Sequence, residues 1–284
     1  MRILILGGAG MLGHQLWRQW QRDHEVWVTL RQPLETYSEH RLFEAERTLT
    51  GVDVASDDAL AEVFRRARPQ AVINCVGIIK QLREAHDPLV SITINSLLPH
   101  RLNRLCMEHD ARLIHISTDC VFSGRKGSYT EQDVPDAEDL YGRSKLLGEL
   151  GGPQGLTLRT SIIGRELSTH SGLIDWFLSQ RGHTIKGYRR ALYTGFTTLE
   201  LARIIEHVLL RHPQLHGLWQ VSAEVISKYE LLLLAKDAFH WNGEIVPDDT
   251  LICDRSLDST RFRTATGYLP PTWSAMMGEL ATAS

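Results

Sequence analysis

The sequence predicts an α/β protein with a doubly wound parallel sheet and a smaller C-terminal lobe. Two observations lead to this fold class. Short apolar runs alternate with helix-length amphipathic segments through the first 160 residues, and a glycine-rich turn directly follows the first run. Such alternation is typical of a parallel sheet covered by helices on both faces.

Each expected element has a simple sequence signal. The strands are apolar runs, at Ile3–Leu6, Val26–Leu30, Ala71–Cys75, Leu113–Ser117 and Leu156–Thr160. The helices among them are amphipathic, at Met11–Arg22, Asp58–Ala67 with Ser56 or Asp57 as its cap, and Val90–Glu108. After residue 160 the alternation of strand-like and helix-like segments becomes less regular. Helices are expected there at Leu173–Gln180, Thr198–Leu210 and Ser227–Phe239.

Composition excludes several classes of protein. With 31 basic and 34 acidic residues the net charge is -3, so the broad positive field that nucleic acid requires is not expected. The four cysteines form no CxxC pair and the thirteen histidines are scattered, which predicts neither a metal site nor disulfides. The N-terminal apolar run is too short for a signal peptide, and no stretch approaches the ~20 apolar residues of a membrane span. We therefore expect a cytoplasmic protein without membrane contact.

The glycine-rich turn has the spacing of a phosphate-binding loop. Gly7, Gly10 and Gly13 lie between a strand and a helix, an arrangement that aims the N–H groups of Met11 and Leu12 at a pyrophosphate. Gly7 would permit the tight turn, Gly10 the close approach of phosphate and Gly13 the packing of helix on strand. The alternative is a turn that serves only the chain path.

The end of the second strand indicates which dinucleotide binds. Sites for NAD carry an acidic residue there, whereas this strand ends in Arg31, which could pair with the 2′-phosphate of NADP. Asp53 and Val54 lie in a turn before a helix, where the carboxylate could accept from the adenine amino group. Arg31 as a solvated cation and Asp53 as a plain helix-approach residue remain alternatives. NADP is the expected cofactor and NAD the alternative.

Three residues predict carbonyl chemistry. Thr118 follows a buried strand, and Tyr141 and Lys145 stand four apart on an expected helix, so the phenol and the ammonium share one face. The ammonium would stabilise the phenolate, and Tyr141 would then give a proton to a ketone that receives hydride. Lys145 would also hold the nicotinamide ribose, and the Thr118 hydroxyl would bind the substrate oxygen.

Longer motifs carry a family resemblance. They are Gly7-x-x-Gly10-x-x-Gly13, Asn74-Cys75-Val76-Gly77, Asn95, Ser117-Thr118-Asp119-Cys120-Val121-Phe122-Ser123-Gly124, Tyr141-Gly142-Arg143-Ser144-Lys145-Leu146-Leu147-Gly148-Glu149 and Leu158-Arg159-Thr160-Ser161. Together they resemble the extended short-chain dehydrogenase/reductase family, within it the nucleotide-sugar reductase branch that includes dTDP-4-dehydrorhamnose reductase.

The resemblance implies roles for further residues. Residues 1–160 would be an NADP-binding Rossmann domain, and residues 161–284 mainly a substrate-binding lobe interleaved with it. The resemblance makes Thr118, Tyr141 and Lys145 the catalytic trio and places Gly77 and Ile78 beside the nicotinamide. The further cofactor-binding residues would be Cys75 and Val76, and the substrate-binding residues Lys80, Asp119, Arg165 and Thr197. Gln81 lies in the loop of Lys80, Thr198 is expected to cap a helix, and a homodimer is compatible with the family.

The implied function is an NADP-dependent reductase of a nucleotide-linked 4-keto-6-deoxy sugar, serving polysaccharide biosynthesis. An aromatic residue expected near the sugar is replaced by Ile162-Ile163-Gly164-Arg165, which leaves the sugar open. One alternative is an epimerase. The Asp-Glu pair of dehydratases is absent, because Asp119-Cys120 follows Thr118. The other alternative is a non-catalytic NADP-binding regulatory subunit, like relatives of this branch in methionine adenosyltransferase complexes.

Overall fold

A computed structural model describes residues 1–80, 82–152, 155–168 and 171–283. These residues form two compact units. The first unit comprises Met1–Ser117, Asp139–Leu158 and Leu209–Leu218. The second comprises Thr118–Glu138, Arg159–Val208 and Trp219–Ser284, described as far as residue 283.

Strands and helices alternate along the first half of the described chain. The strands are β1 (Arg2–Leu6), β2 (Glu25–Thr29), β3 (Thr48–Leu49), β4 (Ala71–Asn74), β5 (Arg112–Thr118), β6 (Gly155–Thr160), β7 (Ile162–Ile163), β8 (Thr184–Tyr188), β9 (Ala191–Tyr193), β10 (Phe196–Thr197), β11 (Gly217–Gln220), β12 (Ile226–Ser227), β13 (Glu244–Asp248) and β14 (Cys253–Asp254). The helices are α1 (Met11–Trp20), α2 (Asp57–Ala67), α3 (Pro88–Ser91), α4 (Leu98–Glu108), α5 (Leu140–Leu147), α6 (Leu173–Ser179), α7 (Thr198–Arg211), α8 (Lys228–Ala238), α9 (Thr260–Thr266) and α10 (Trp273–Thr282).

A seven-stranded sheet forms the centre of the fold within the described ranges. Its strand order is β11-β6-β5-β4-β1-β2-β3, and the neighbouring pairs from β3 to β5 are parallel. The order reverses between β1 and β4, which is where open sheets of this kind bind ligands at the carboxyl ends of the strands. The predicted doubly wound α/β fold is confirmed.

Helix α2 illustrates how local sequence sets an element. The Ser56 hydroxyl accepts from the Ala59 N–H at 3.3 Å, and two aspartates in the first turn complement the helix dipole. Its Leu60, Val63 and Phe64 side chains are buried and pack with residues of β1 and β4 in one apolar cluster. Capping and apolar spacing therefore agree, and the expected helix forms with Ser56 as its cap.

The helix expected at Val90–Glu108 is longer and less regular than predicted. It begins at Pro88, where Asp87 caps it by accepting from the Leu89 N–H at 2.8 Å. Between α3 and α4 the segment Ile92–Leu97 has π-helical hydrogen bonding, a wider turn found often at functional sites. We refer to this segment as the π turn.

The second unit contains small sheets that the sequence analysis did not predict. Strand β9 pairs antiparallel with β12 and parallel with β14, and β8 pairs parallel with β13. Ser227 and Glu230 form a reciprocal capping box that starts α8. No helix in the described parts of the chain is long and apolar enough to cross a membrane.

Candidate active site

The glycine turn after β1 has the shape of a pyrophosphate cradle. Gly7 adopts a φ of 84°, which favours glycine, and a Cβ at Gly13 would overlap the Gly7 carbonyl oxygen. A Cβ at Gly10 would meet that oxygen at 3.3 Å and, among the residues that the structure describes, no other atom within 4 Å. No side chain caps α1 at Gly10 and no acidic residue lies in its first turn. Its first N–H groups, at Met11 and Leu12, therefore suit an anion.

The residues predicted to select the dinucleotide lie in the first unit. Arg31 is exposed just after β2, as a residue that reads a 2′-phosphate must be. Asp53 is also exposed, and its carboxylate accepts from the Ala55 N–H at 3.0 Å. Val54 is half-buried beside it. Asp53 thus shapes the turn before α2, and Arg31 is the residue better placed for a ligand.

The loop after β4 is held by buried amides. The Asn74 side-chain oxygen accepts from the Val76 N–H at 3.1 Å. Asn95, in the π turn, accepts from the Ile78 N–H at 2.8 Å and donates to the Ile78 carbonyl at 3.0 Å. These bonds hold the stretch from Cys75 to Ile78 that was predicted to face the nicotinamide. Burial raises the pKa of the Cys75 thiol, so this cysteine stays neutral.

Tyr141 and Lys145 lie on α5 at the edge of that loop. Asp139 caps this helix by accepting from the Gly142 N–H at 2.8 Å. The Lys145 ammonium is buried and donates to the Ile116 carbonyl at 2.7 Å, and a Cβ at Gly77 would lie 3.9 Å from it. Burial lowers the pKa of Lys145 to about 8, against the opposing charge of Glu149. The lysine is therefore still mostly charged at neutral pH.

Lys80, predicted to bind substrate, contacts the start of α5 instead of projecting freely. Its ammonium forms an ion pair with Asp139 at 2.6 Å and lies 5.6 Å from the centroid of the Tyr141 ring. Through the Asp139 cap, Lys80 ties the loop after β4 to the start of α5. Gln81, placed by prediction in the same loop, lies outside the described residues.

Thr118 and Asp119 belong to the second unit, at the end of β5. The Thr118 hydroxyl accepts from the Cys120 N–H at 3.1 Å and donates to the Asp119 carboxylate at 3.3 Å. Both residues are buried. Burial raises the pKa of Asp119, whereas bonds from Cys120 and Thr118 and the charges of Arg255 and Lys228 lower it. The hydrogen bond from the Cys120 N–H to the Thr118 hydroxyl thus holds a tight turn at the residue whose hydroxyl was predicted to bind the substrate oxygen.

The other predicted substrate-binding residues are occupied within the second unit. Arg165 donates to the Asp175 carboxylate at 2.6 Å. The Thr197 hydroxyl is fully buried and accepts from the Glu200 N–H at 3.3 Å. Thr197 is therefore the cap of α7, and the expectation that Thr198 caps this helix was wrong. Two further basic residues of the second unit, Lys186 and Arg189, pair with Asp248 and Asp249.

One polar residue of the second unit was missed by sequence reasoning. Lys228 stands at the first position of α8, where the helix dipole favours an acidic residue over a cation. Its ammonium lies 3.7 Å from the centroid of the Tyr193 ring. A lysine directly after a capping serine was the signal that could have drawn attention to it.

The burial of Lys145 leads to a prediction about stability. A pKa lowered from 10.5 to about 8 corresponds to ~3 kcal/mol of preference for the neutral form. At pH 7 the ammonium is charged in both the folded and the unfolded chain, so we expect Lys145→Met to raise the free energy of unfolding by ~1–3 kcal/mol. Between pH 8 and 10.5 the unfolded chain holds more protons at this lysine, so wild-type stability should gain on the variant as the pH rises.

Urea denaturation at pH 7 and pH 9.5 measures both effects. Lys236→Met is the matched control. Lys236 is only half-buried and donates to the Gly243 carbonyl at 2.7 Å, so its loss should not stabilise the protein. A variant no more stable than wild type at pH 7 would contradict the prediction.

Comparisons with known proteins agree with this fold. A family model described as RmlD substrate binding domain matches residues 1–167. A probable low-salt glycan biosynthesis reductase of Haloferax volcanii is 30% identical over 218 residues, 71% of this chain and 70% of its own. The crystal structure of a hypothetical dTDP-4-dehydrorhamnose reductase from Sulfolobus tokodaii is 28% identical, with a TM-score of 0.79 over 97% of this chain and 99% of that one.

A third relative carries a different name. Methionine adenosyltransferase 2 subunit beta of Rattus norvegicus is 27% identical over 150 residues. The match covers 52% of this chain and 41% of the relative, so the chain matches less than half of that protein's length. From the family model and the reductase relatives, the chain belongs to the RmlD substrate binding domain family, as its sequence motifs predicted.

Proposed function

We propose that the protein is an NADP-dependent reductase of a nucleotide-linked 4-keto-6-deoxy sugar. One observation carries the proposal: the buried Lys145 ammonium lies beside Gly77, one helical turn from Tyr141 on α5. A phenol and a charged lysine next to the loop predicted to face a nicotinamide suit proton transfer to a carbonyl that accepts hydride. The similarity to a probable glycan biosynthesis reductase supports the same class of reaction.

The residues of the first unit fit a dinucleotide. The open N-terminus of α1 and the glycines before it would hold the pyrophosphate. Arg31 would pair with the 2′-phosphate. Bound NADPH would supply the hydride.

Each catalytic side chain then has a defined task. Tyr141 gives its phenolic proton to the sugar oxygen as negative charge develops there. Lys145, fixed by the Ile116 carbonyl, keeps a positive charge near the phenolate and holds the ribose. The Thr118 hydroxyl donates a hydrogen bond to the same sugar oxygen. We place this reaction in the cytoplasm, in polysaccharide biosynthesis, with a homodimer as the assembly to test.

The direct test is oxidation of NADPH by the purified protein with a panel of dTDP- and UDP-linked 4-keto-6-deoxy sugars. We expect turnover with at least one of them and a deoxy-sugar nucleotide as product. Release of an epimer of the supplied sugar nucleotide, at the same oxidation level and without net NADPH oxidation, would indicate the epimerase instead. Tight NADPH binding without turnover on the whole panel would argue against the reductase.

Cofactor choice is predicted to depend on Arg31. In Arg31→Asp the carboxylate would repel a 2′-phosphate and accept from free ribose hydroxyls, so the preference should change from NADPH to NADH. We expect at least a tenfold loss of NADPH affinity, measured by fluorescence titration of both cofactors. Arg41→Asp, at another exposed arginine, serves as the control for added negative charge. An unchanged ratio of affinities would assign the 2′-phosphate to another residue.

The similarity to methionine adenosyltransferase 2 subunit beta favours a second candidate function, a non-catalytic NADP-binding regulatory subunit. Under that proposal NADPH binds to the glycine turn but Tyr141 transfers no proton. Co-purification with a methionine adenosyltransferase, together with a change in that enzyme's activity, would support it. Turnover of a 4-keto sugar that depends on Tyr141 would favour the reductase.

A further inference from the structure

Lys228, in the second unit, has no role in the function proposed above. It follows β12, whose antiparallel pairing with β9 sets Ile226 opposite Tyr193. This pairing brings the Lys228 ammonium to 3.7 Å from the centroid of the Tyr193 ring. The Tyr193 side chain is buried and packs against Trp273, with ring centroids 5.5 Å apart. A fixed aromatic ring therefore positions the ammonium.

The cation–π contact leaves the donors of Lys228 unused. An ammonium carries three N–H donors, and no acceptor within hydrogen-bond distance of the Lys228 nitrogen is found among the described residues. Burial lowers the pKa of Lys228 to about 8, although the charge of Asp119 acts in the opposite direction. The Lys228 side chain is half-buried, so its donors are only partly hydrated and an acceptor supplied by a ligand would stabilise them.

Asp119 supplies the complementary group. Its carboxylate is buried, with one oxygen accepting from the Thr118 hydroxyl, and the charge of Lys228 lowers its pKa against the effect of burial. The Lys228 ammonium can only donate hydrogen bonds and the Asp119 carboxylate can only accept them. We refer to Lys228 and Asp119 as the polar pair.

We propose that the polar pair binds hydroxyl groups of the substrate's sugar ring, an inference that rests on the reductase function proposed above. A hydroxyl both donates and accepts, so neighbouring hydroxyls can satisfy a lysine and an aspartate together. A diphosphate suits this place less well, because the carboxylate offsets the positive charge that would attract it. Asp119 directly follows Thr118 in the chain, so the subsite adjoins the residue assigned to the sugar carbonyl.

Calorimetric binding to the NADPH-loaded protein tests the proposal without relying on turnover. The probes are dTDP and UDP, each alone and carrying a hexose, as dTDP-rhamnose and UDP-glucose. We expect Lys228→Met to weaken binding of the preferred sugar nucleotide about 10- to 100-fold, the range for lost hydrogen bonds to a charged group. Binding of the nucleotide alone should not change. Asp119→Asn should also weaken binding of the sugar nucleotide only.

Lys236→Met is the matched control, since Lys236 lies on the same helix with its ammonium 6.0 Å from the Trp241 ring centroid. We expect it to bind the sugar nucleotide as wild type does. Wild-type affinity in a folded Lys228→Met, checked by circular dichroism, would overturn the proposal, and so would an equal loss for the nucleotide alone. Lys228→Gln repeats the test should the Met variant misfold.

The outcomes also separate this inference from the function on which it rests. Selective loss of sugar-nucleotide binding without reduction of any 4-keto sugar would keep the subsite and reject the reductase. Turnover by wild type with undiminished sugar binding in Lys228→Met would do the reverse. A wild-type protein that binds no sugar nucleotide would overturn both.

Discussion

Tyr141→Phe is expected to lower turnover by ~10²–10⁴-fold, the usual contribution of general acid catalysis. The change removes one hydroxyl from a partly buried residue of α5 and leaves the Asp139 cap and the Lys145 ammonium in place. Cofactor affinity and folding should therefore stay close to wild type. Steady-state kinetics on a verified 4-keto sugar, together with NADPH titration, measures the two effects separately.

Tyr188→Phe, at a partly buried tyrosine of the second unit, provides the control for loss of a phenol elsewhere. It should keep wild-type turnover. Near-normal kcat in Tyr141→Phe would show that another group gives the proton, and the regulatory function would then regain weight.

Gly13→Ala is expected to remove NADPH binding and to destabilise the first unit. The added Cβ would overlap the Gly7 carbonyl oxygen, and both atoms are backbone-anchored, so α1 must move away from the end of β1. Overpacking of this kind typically costs ~1–3 kcal/mol. Thermal unfolding and nucleotide titration should both change, with an affinity loss too large to titrate.

Alanine substitutions at two other glycines serve as controls for Gly13→Ala. A Cβ at Gly10 would approach only the Gly7 oxygen, at 3.3 Å, so Gly10→Ala should stay folded and lose affinity because the methyl group occupies space that a pyrophosphate needs. Gly278 lies in α10, and no atom of the described part of the chain comes within 4 Å of its added Cβ, so Gly278→Ala should be neutral or slightly stabilising. Wild-type NADPH affinity in Gly10→Ala would place the cofactor elsewhere.

The first half of the chain was predictable because its signals are local. A short apolar run predicts a buried strand such as β1. A capping serine and the spacing of apolar residues predict helix α2. The glycine spacing and the Tyr141–Lys145 pair belong to the same kind of signal, since the residues that act together are few positions apart. Their surroundings were less predictable: the Lys80–Asp139 ion pair joins residues 59 positions apart.

The second unit was harder because its order comes from distant pairings. Strands β9, β12 and β14 are two or three residues long, too short for a period to emerge. Only their mutual pairing brings Lys228 to the Tyr193 ring. The surroundings of Arg165 and Lys186 were unpredictable for a related reason, since the sequence does not mark Asp175 and Asp248 as their partners.

The π turn sets a limit on how the chain can gain or lose residues. A residue added to an α-helix is commonly absorbed as one wide turn, whereas each residue of regular α-helix advances the side-chain direction by about 100°. Shortening Ile92–Leu97 by one position would restore regular winding, but it would turn Asn95 relative to either α3 or α4. Its amide could then no longer meet both the N–H and the carbonyl of Ile78. Apart from Asn95, length in this segment is thus more constrained than residue identity, and relatives that keep the loop after β4 in this conformation should tolerate substitutions here more readily than deletions.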